Sequence, residues 1–277
     1  MLSARAGELG SKEGKMRFYK MQGLGNDFVV LVGVTPSPAQ LRFLADRHYG
    51  VGADQILCLF LPDKGQPAQA RFFNANGEEA EMCGNGLRCL GLLLKRRTGK
   101  ARHEIRTSTR TVLVETLDPP MVQASMGAVR VLPMPKHPYI QQESLQRQVI
   151  AQALLHIGNP HLLFLTQTPE VGALAETFGP GLEKTLPDGV NVGFAHYQQA
   201  EKATLTLSVW ERGAGLTQAC GSAAVAVTAL AHKALKCPLP VVVAQKGGDL
   251  IVDKHRSSYI QTGPAHLSFT GNVSLPS

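Results

Sequence analysis

The sequence indicates two copies of one unit, and this duplication constrains the fold more than any other feature. Cys83 in EMCGNG and Cys220 in QACGSA occupy matching places near the end of each copy. Upstream, GLGNDFVVL around Asn26 resembles HIGNPHLLFL around Asn159, and GVGADQI and DGVNVGF fall between these anchors in the same order. A period this long predicts duplicated domains rather than a solenoid of short repeats.

Both cysteines lie where a polar, glycine-rich turn gives way to a helix-like run. Unpaired backbone N–H groups and the positive end of a helix dipole favour the thiolate at such a position. Two such cysteines, facing one another, could remove a proton from one side of a carbon and return one to the other. The pattern is typical of a racemase or epimerase that needs no cofactor. A structural pair of buried thiols and a redox disulfide remain as alternatives.

The pattern of apolar residues predicts an α+β fold with many strands and one strong helix in each half. The two helices are expected over Gly84–Arg97 and Ser222–Lys236, and each is apolar nearly all round, so we expect it to lie inside the sheet of its own half. Runs of strands with few helices argue against a doubly wound α/β fold. A further helix is expected over 38–50, and the proline-rich stretch 132–138 is the best candidate for a linker.

The first 15 residues are small and polar, and we expect them to form a disordered leader. They contain no apolar core of the kind that a secretory signal carries. With five cysteines, no CxxC motif and no signal, the sequence suits a reducing cytoplasm. Neither Cys83 nor Cys220 has a His or Cys partner at ligand spacing, so no metal is expected. Cys58 in an apolar strand and Cys89 on the helix after Cys83 are expected to be buried, and Cys237 closes a helix before Pro238. None of the three has the glycine-rich, polar context of Cys83 and Cys220.

The net charge of +7 is moderately basic. Nucleic-acid binding is one interpretation of the densest basic cluster, and a solvated helix C-terminus is the other. We favour the second, because no aromatic platform or helix-turn-helix pattern accompanies the cluster. A basic surface would also suit an anionic small substrate. The cluster consists of Lys95, Arg96, Arg97, Lys100 and Arg102.

Polar residues that recur in glycine-flanked turns are candidates for substrate binding. Singly, an asparagine in a turn is explained by turn chemistry, but four at matching places in two copies favour one shared site. Glu211 and Arg212 follow an apolar strand and could hold an amine and a carboxylate together, or form a surface ion pair of little consequence. His161 either tunes a neighbouring thiol or is a plain hydrogen-bonded histidine. The four asparagines are Asn26, Asn74, Asn159 and Asn191.

From Met16 to the C-terminus the chain resembles the diaminopimelate epimerase family. The matching segments are GLGNDF, FNANG, CGNG with Arg88, GNPH, VNVGF, ERGAG and ACGS, in the family's order. The resemblance implies two pseudo-symmetric domains, each an antiparallel sheet wrapped around a central helix, with the active site in the inter-domain cleft. It also implies interconversion of LL- and meso-diaminopimelate without pyridoxal phosphate, in lysine and peptidoglycan precursor synthesis, by a homodimer in the bacterial cytoplasm.

The resemblance also implies domain limits and residue roles. The domains would be 16–124 plus 264–277, and 125–263. Cys83 and Cys220 would be the catalytic acid and base, Cys83 by the family's usual assignment the donor. His161 and Glu211 would tune the thiols. The substrate-binding residues would be Asn26, Gln55, Asn74, Gly84, Asn85, Asn159, Asn191, Glu211, Arg212, Gly221 and Ser222.

The chain departs from the family pattern at a few positions. Asn76 stands where aspartate is usual, and Leu216 where glutamate is general. Ala223 and Val225 stand where glycine and cysteine are common. If the backbone at Ala223 needed glycine, it would be strained, which would affect how tightly the substrate is enclosed.

Two other isomerases of the same fold and one non-enzymatic protein are the rival interpretations. A relative of proline racemase would be expected to lack the asparagine set and the Glu-Arg pair. A phenazine-biosynthesis-like isomerase would have replaced the cysteines. A thiol-bearing binding protein explains neither the duplication nor the paired cysteines at helix starts.

Overall fold

The computed structural model describes residues 15–61, 65–199 and 201–276. Residues 1–14 of the expected leader lie outside the described residues, and Lys15 is already the first residue of a strand. Among the helices of the described ranges, none is long and apolar enough to cross a membrane.

Strands dominate the chain, with a few helices between them. The first part contains β1 (Lys15–Gly23), β2 (Asn26–Val32), α1 (Pro38–Ala45), β3 (Gln55–Phe60), β4 (Ala68–Asn74), β5 (Glu79–Ala80), α2 (Gly84–Thr98), β6 (Arg102–Arg106), β7 (Thr111–Thr116) and β8 (Met121–Gly127). The second part contains β9 (Arg130–Leu132), α3 (Glu143–Gln146), β10 (Val149–His156), β11 (Pro160–Thr166), α4 (Val171–Leu182), β12 (Asn191–Gln199), β13 (Ala203–Glu211), β14 (Gly215–Leu216), α5 (Gly221–Leu235), β15 (Val241–Gln245), β16 (Gly248–His255), β17 (Ser258–Pro264) and β18 (His266–Ser274).

The chain forms two compact units. One extends to Ala124 and takes in the chain again from Gly263, and the other consists of Ser125–Thr262. The boundary at Ala124 therefore falls within β8 and not in a loop. The linker expected at 132–138 was wrong, because this stretch lies inside the second unit, where Met134 packs against the core.

The order of strand pairing is the same in the two units. In the first, β1 pairs with β2, β2 with β3, β3 with β4, and β4 with both β5 and β6. In the second, β10 to β15 pair in the same order and with the same parallel or antiparallel sense. Each series is flanked by one further antiparallel strand, β18 on β1 and β9 on β10. The duplication expected from the sequence is thus present in the topology.

The sheets are mixed, which corrects the expectation of purely antiparallel sheets. β2 with β3, β4 with β6, β11 with β12, and β13 with β15 are parallel pairs. A parallel neighbour requires a crossover connection, which is usually helical. Here α1, α2, α4 and α5 lie in those four connections.

One helix in each unit is buried on nearly all sides, as predicted. In α2 every residue from Gly84 to Leu94 is buried, and in α5 the buried set runs from Gly221 to Ala231 with few gaps. The predicted helix bounds were correct to about one residue. Only the last turn of α2 is not buried, and it holds three residues of the basic cluster, which confirms that the densest part of the cluster lies at a helix C-terminus.

The helix expected over 38–50 is shorter than predicted. α1 ends at Ala45, because the Asp46 carboxylate accepts hydrogen bonds from the backbone N–H groups of His48 and Tyr49 and turns the chain. These bonds lower the pKa of Asp46, since they favour its charged form. Aspartate can offer the backbone such an alternative to helix wherever it occurs.

Candidate active site

Cys83 is the N-cap residue of α2. Its Sγ accepts a hydrogen bond from the Gly86 backbone N–H at 3.4 Å, in the way that a capping side chain does. The thiol also lies 3.6 Å from Asn26 Oδ1, to which it can donate. Cys83 is half-buried, so its sulfur is both accessible and close to the positive end of the helix.

The side chains beside Cys83 form one hydrogen-bonded chain within the first unit. Asn85 Nδ2 donates to Asn26 Oδ1 at 3.4 Å, and Asn26 Nδ2 donates to Asp54 Oδ2 at 2.9 Å. At the other end, Arg88 Nη2 donates to Asn85 Oδ1 at 2.8 Å. Arg88 is fully buried, and burial lowers its pKa to about 10, which leaves it charged at neutral pH.

Gln55 and Asn74 form a second polar pair in the first unit. They face one another across the β3–β4 ladder, and Gln55 Nε2 donates to Asn74 Oδ1 at 2.9 Å. Gln55 Oε1 is buried and has no hydrogen-bond partner among the described residues. A buried acceptor of this kind calls for a partner from outside the protein.

Cys220 is the N-cap residue of α5, so both cysteines occupy the helix position that the sequence predicted. It is buried, and its Sγ lies 3.5 Å from Ser222 Oγ. Its backbone N–H donates to Gln245 Oε1 at 2.8 Å, which fixes the entry of the chain into the helix. Gly221, like Gly84 in α2, is the first buried residue of the helix.

Asn159 and His161 are in contact in the second unit. The distance from His161 Nε2 to Asn159 Oδ1 is 2.8 Å. His161 is completely buried, and burial, together with the nearby His156, lowers its pKa to about 3. The imidazole is therefore neutral at physiological pH, and the partner that the structure gives it is Asn159.

Glu211 and Arg212 are held by different partners. Glu211 Oε1 accepts from Thr217 Oγ1 at 2.7 Å, whereas the Arg212 side chain donates to the Asp188 backbone oxygen at 3.0 Å. Asn191 Oδ1 accepts from the Arg212 backbone N–H at 3.0 Å. Gly189, at φ 75°, leaves room for the Arg212 chain, since a Cβ there would lie 2.9 Å from it.

The strand register places the predicted residues of the two units at equivalent positions. Gln55 pairs with Phe28, two residues after Asn26, and Asn191 pairs with His161, two residues after Asn159. Each half thus has an asparagine at the start of one strand and an amide side chain on the strand that runs parallel to it. Each half also has a cysteine at the N-cap position of its central helix.

The remaining cysteines do not share this environment. Cys58 and Cys89 are buried, as expected, and so is Cys237. Burial raises the pKa of the Cys58 and Cys89 thiols to about 12, so both stay protonated.

Comparison with known proteins identifies the family. The model of the family described as diaminopimelate epimerase matches residues 18–132 and 153–268, one match for each copy. The chain belongs to the diaminopimelate epimerase family. The diaminopimelate epimerase of Alkalilimnicola ehrlichii is 38% identical over 94% of this chain and 99% of its own length. That of Phenylobacterium zucineum is 36% identical over 92% of this chain and 97% of its own length. The chain is therefore an enzyme of the isomerase class.

Solved structures with the same fold are more distant. A phenazine biosynthesis protein from Enterococcus faecalis is 15% identical with a TM-score of 0.72, covering 94% of this chain and 99% of its own. A hydroxyproline epimerase from Agrobacterium vitis is also 15% identical, with a TM-score of 0.66 and coverage of 94% and 93%. At this identity the likeness concerns the fold alone, and it confirms a two-domain α+β architecture.

The departures from the diaminopimelate epimerase pattern are accommodated without strain. Asn76 lies in the β4–β5 turn, where it bonds to both the backbone and the side chain of Glu78. Leu216 pairs with Trp210 and packs against the core of the second unit. Ala223 is buried in α5 and is not among the described residues with positive φ, so its backbone does not need glycine.

The sequence analysis missed three residues that hold the site together. Asp54 binds Asn26, and Gln245 binds the backbone N–H of Cys220. Glu183 accepts hydrogen bonds from Trp210 Nε1 and from the Gly213 N–H, which lie on either side of the Glu-Arg pair in the sequence. Each contact joins segments more than 20 residues apart, so no local pattern reveals it. Arg88 was noted only as part of a motif, although its place one helical turn after Asn85 predicts their contact.

Proposed function

We propose that this enzyme interconverts LL- and meso-diaminopimelate by a two-thiol mechanism that uses no cofactor. The observation that carries the proposal is that each duplicated unit places a cysteine at the N-cap of its own buried helix, beside a polar side chain of the same unit. Family membership supports the substrate, and the reaction would serve lysine and peptidoglycan precursor synthesis.

In the proposed reaction, one cysteine is a thiolate and the other a thiol. The thiolate takes the proton from the substrate's α-carbon and becomes a thiol, while the opposite thiol gives its proton to the other face and becomes the thiolate. Cys83 is the donor and Cys220 the acceptor in one direction, and the roles reverse in the other. The mechanism requires one stereocentre to lie between the two sulfur atoms, in the cleft between the units that the resemblance implies.

The charge that develops on the substrate needs stabilisation from donors that are already in place. The first turns of α2 and α5 offer backbone N–H groups, and Gly84 and Gly221 have no side chain to keep a carboxylate away. Glu211 and Arg212 would bind the amine and carboxylate of a headgroup. The unpartnered Gln55 Oε1 is a further acceptor for a substrate ammonium. The remaining proposed ligands are Asn26, Asn74, Asn85, Asn159, Asn191 and Ser222.

His161 would tune the second half of the site through its contact with Asn159. As a neutral imidazole it supplies a hydrogen bond and not a positive charge. Glu211, held by Thr217, would act on the thiol as a fixed negative charge.

We also infer a homodimer in the cytoplasm. The resemblance is the main support. The oligomeric state can be measured by analytical ultracentrifugation.

Replacement of each thiol tests the mechanism. We expect Cys83→Ala and Cys220→Ala each to lower kcat for epimerisation by at least about 10³-fold. The one site thiol left in each variant cannot both remove the proton from one face and return a proton to the other. Cys237→Ala, which removes a buried thiol of the second unit, is the control and should keep most of the activity. Substantial epimerisation by either single variant would exclude the two-thiol mechanism.

A further inference from the structure

Two carboxylates join the starts of strands β2 and β3 in the first unit. The Asp27 N–H donates to Asp54 Oδ2 at 3.1 Å, and the Asp54 N–H donates to Asp27 Oδ1 at 3.0 Å. Arg47 contacts both carboxylates, at 2.8 Å and 2.7 Å. Lys20 contacts Asp27 at 2.6 Å. Two negative and two positive charges thus form a neutral cluster, the Asp27–Asp54 clamp.

The contacts within the clamp keep the Asp27 carboxylate ionised. Burial by itself would raise the pKa of Asp27, but the hydrogen bonds from Arg47 and Lys20 outweigh it and hold that pKa well below its usual range. The same contact with Asp27 raises the pKa of Arg47. Asp54 is held by three protein donors, from Arg47, Asp27 and Asn26.

The Asp54 oxygens accept from Arg47 and from the Asp27 N–H, and a carboxylate that pairs with a guanidinium only accepts hydrogen bonds. This fixes the orientation of Asn26. The Asn26 amide group must present its NH2 to Asp54, so its carbonyl oxygen faces Cys83 and Asn85. The opposite end of the chain imposes the same direction. The Arg88 guanidinium can only donate, so Asn85 must present its oxygen to Arg88 and its NH2 to Asn26.

Asp54 and Arg88 therefore fix the direction of donation along the hydrogen-bonded series of side chains Arg88–Asn85–Asn26–Asp54. We propose that Asp54 is a positioning residue, which acts through Asn26 to place a hydrogen-bond acceptor, and not a donor, beside the Cys83 thiol. An acceptor at this distance stabilises the protonated thiol and so prepares Cys83 to act as the acid. The inference rests on the proposed two-thiol mechanism.

In the second unit, the equivalent asparagine, Asn159, is held by its carbonyl oxygen and not by its NH2 group. By strand register, Pro160 and Val190 occupy the places of Asp27 and Asp54, so this half has no carboxylate clamp. Instead, the Asn159 carbonyl oxygen is taken up by His161. The duplicated halves therefore hold equivalent asparagines through opposite ends of the side chain, although their backbone positions match.

The test is the Asp54→Asn variant, compared with Asn26→Ala and with the double variant. A neutral amide at position 54 can donate as well as accept, so the Asn26 side-chain amide can flip and exchange the positions of its oxygen and its NH2 group. We expect Asp54→Asn to lower kcat for diaminopimelate epimerisation by roughly 10-fold to 100-fold, with a smaller change in KM. Because Asp54 acts through Asn26, the double variant should be within about twofold of Asn26→Ala alone.

Asp27→Asn is the matched control. It weakens the same ion-pair cluster and should lower the melting temperature, but it leaves Asp54 to hold Asn26, so kcat should stay within about threefold of the parent. The proposal is overturned if Asp54→Asn keeps kcat within about threefold, or if its effect multiplies with that of Asn26→Ala.

Alkylation of Cys83 by iodoacetamide, read by mass spectrometry at neutral pH without substrate, tests the same claim independently of activity. Loss of the acceptor should favour the thiolate and raise the labelling rate at least about threefold in Asp54→Asn but not in Asp27→Asn. Arg88 and Cys89 also interact electrostatically with Cys83, and neither substitution changes them. Equal labelling rates would refute the positioning role. A parent enzyme that labels as expected but does not epimerise would instead refute the proposed function.

Discussion

At the scale of single residues, position relative to a helix end and burial decide what each ionisable group can do. Cys83 and Cys220 occupy the N-cap positions of buried helices, whereas the pKa values of Cys58 and Cys89 are raised mainly by burial. The sequence was sufficient to separate these two classes, because a glycine-rich turn before a helix is a local pattern. It was not sufficient to find Asp54, whose contact with Asn26 depends on two strands lying side by side.

His161 makes the stability of the fold depend on pH. Its pKa of about 3 in the folded state lies below the usual value of 6.5, so the unfolded chain binds a proton that the folded chain does not. Stability is therefore retained above about pH 6.5 and lost as the pH falls from there towards 3. Between pH 6 and pH 4 we expect the unfolding free energy to fall by about 1 kcal/mol per pH unit more in the parent than in His161→Gln.

Urea unfolding at pH 4, 5 and 6 measures this difference. His255→Gln, which changes an exposed histidine, should follow the parent. If His161→Gln shows the same pH slope as the parent, His161 is not buried in a neutral form.

At the scale of elements, each unit depends on close packing of sheet against central helix. The sequence predicted these two helices well, because an apolar run that continues on all faces is visible in one segment. It did not predict the parallel ladders, since a strand's own residues do not say which strand lies beside it. α1 was predicted too long because the capping role of Asp46 depends on the turn it forms.

Gly91→Ala tests the packing of α2. A Cβ at this position would lie 3.1 Å from Val122 and 3.3 Å from Val114, closer than ordinary contact. We expect a loss of roughly 1–3 kcal/mol in the free energy of unfolding, even though alanine is the better helix former. Gly172→Ala in α4 is the control. A Cβ there meets nothing within 4 Å, so the fold should be unchanged or stabilised by up to about 1 kcal/mol. Equal effects of the two substitutions in chemical denaturation would mean that α2 is not tightly enclosed.

At the scale of the whole molecule, duplication gives each unit one capping cysteine and a matched frame of strands. The repeated anchors in the sequence predicted this, and both the strand pairing and the two matches of the family model confirm it. The linker was placed wrongly because the chain passes from the first unit to the second inside strand β8, between Ala124 and Ser125, and not in a proline-rich loop. The polar partners of the two halves differ, since Asp54 binds Asn26 whereas His161 binds Asn159.

The most direct test of the two-thiol account is the early time course of LL-diaminopimelate in D2O under reducing conditions. If one thiol removes the proton and the other returns a different one, the first meso product carries a single deuterium at the inverted carbon, while recovered LL-diaminopimelate carries almost none. Product formed without deuterium, or label that enters substrate and product equally from the start, would contradict the account.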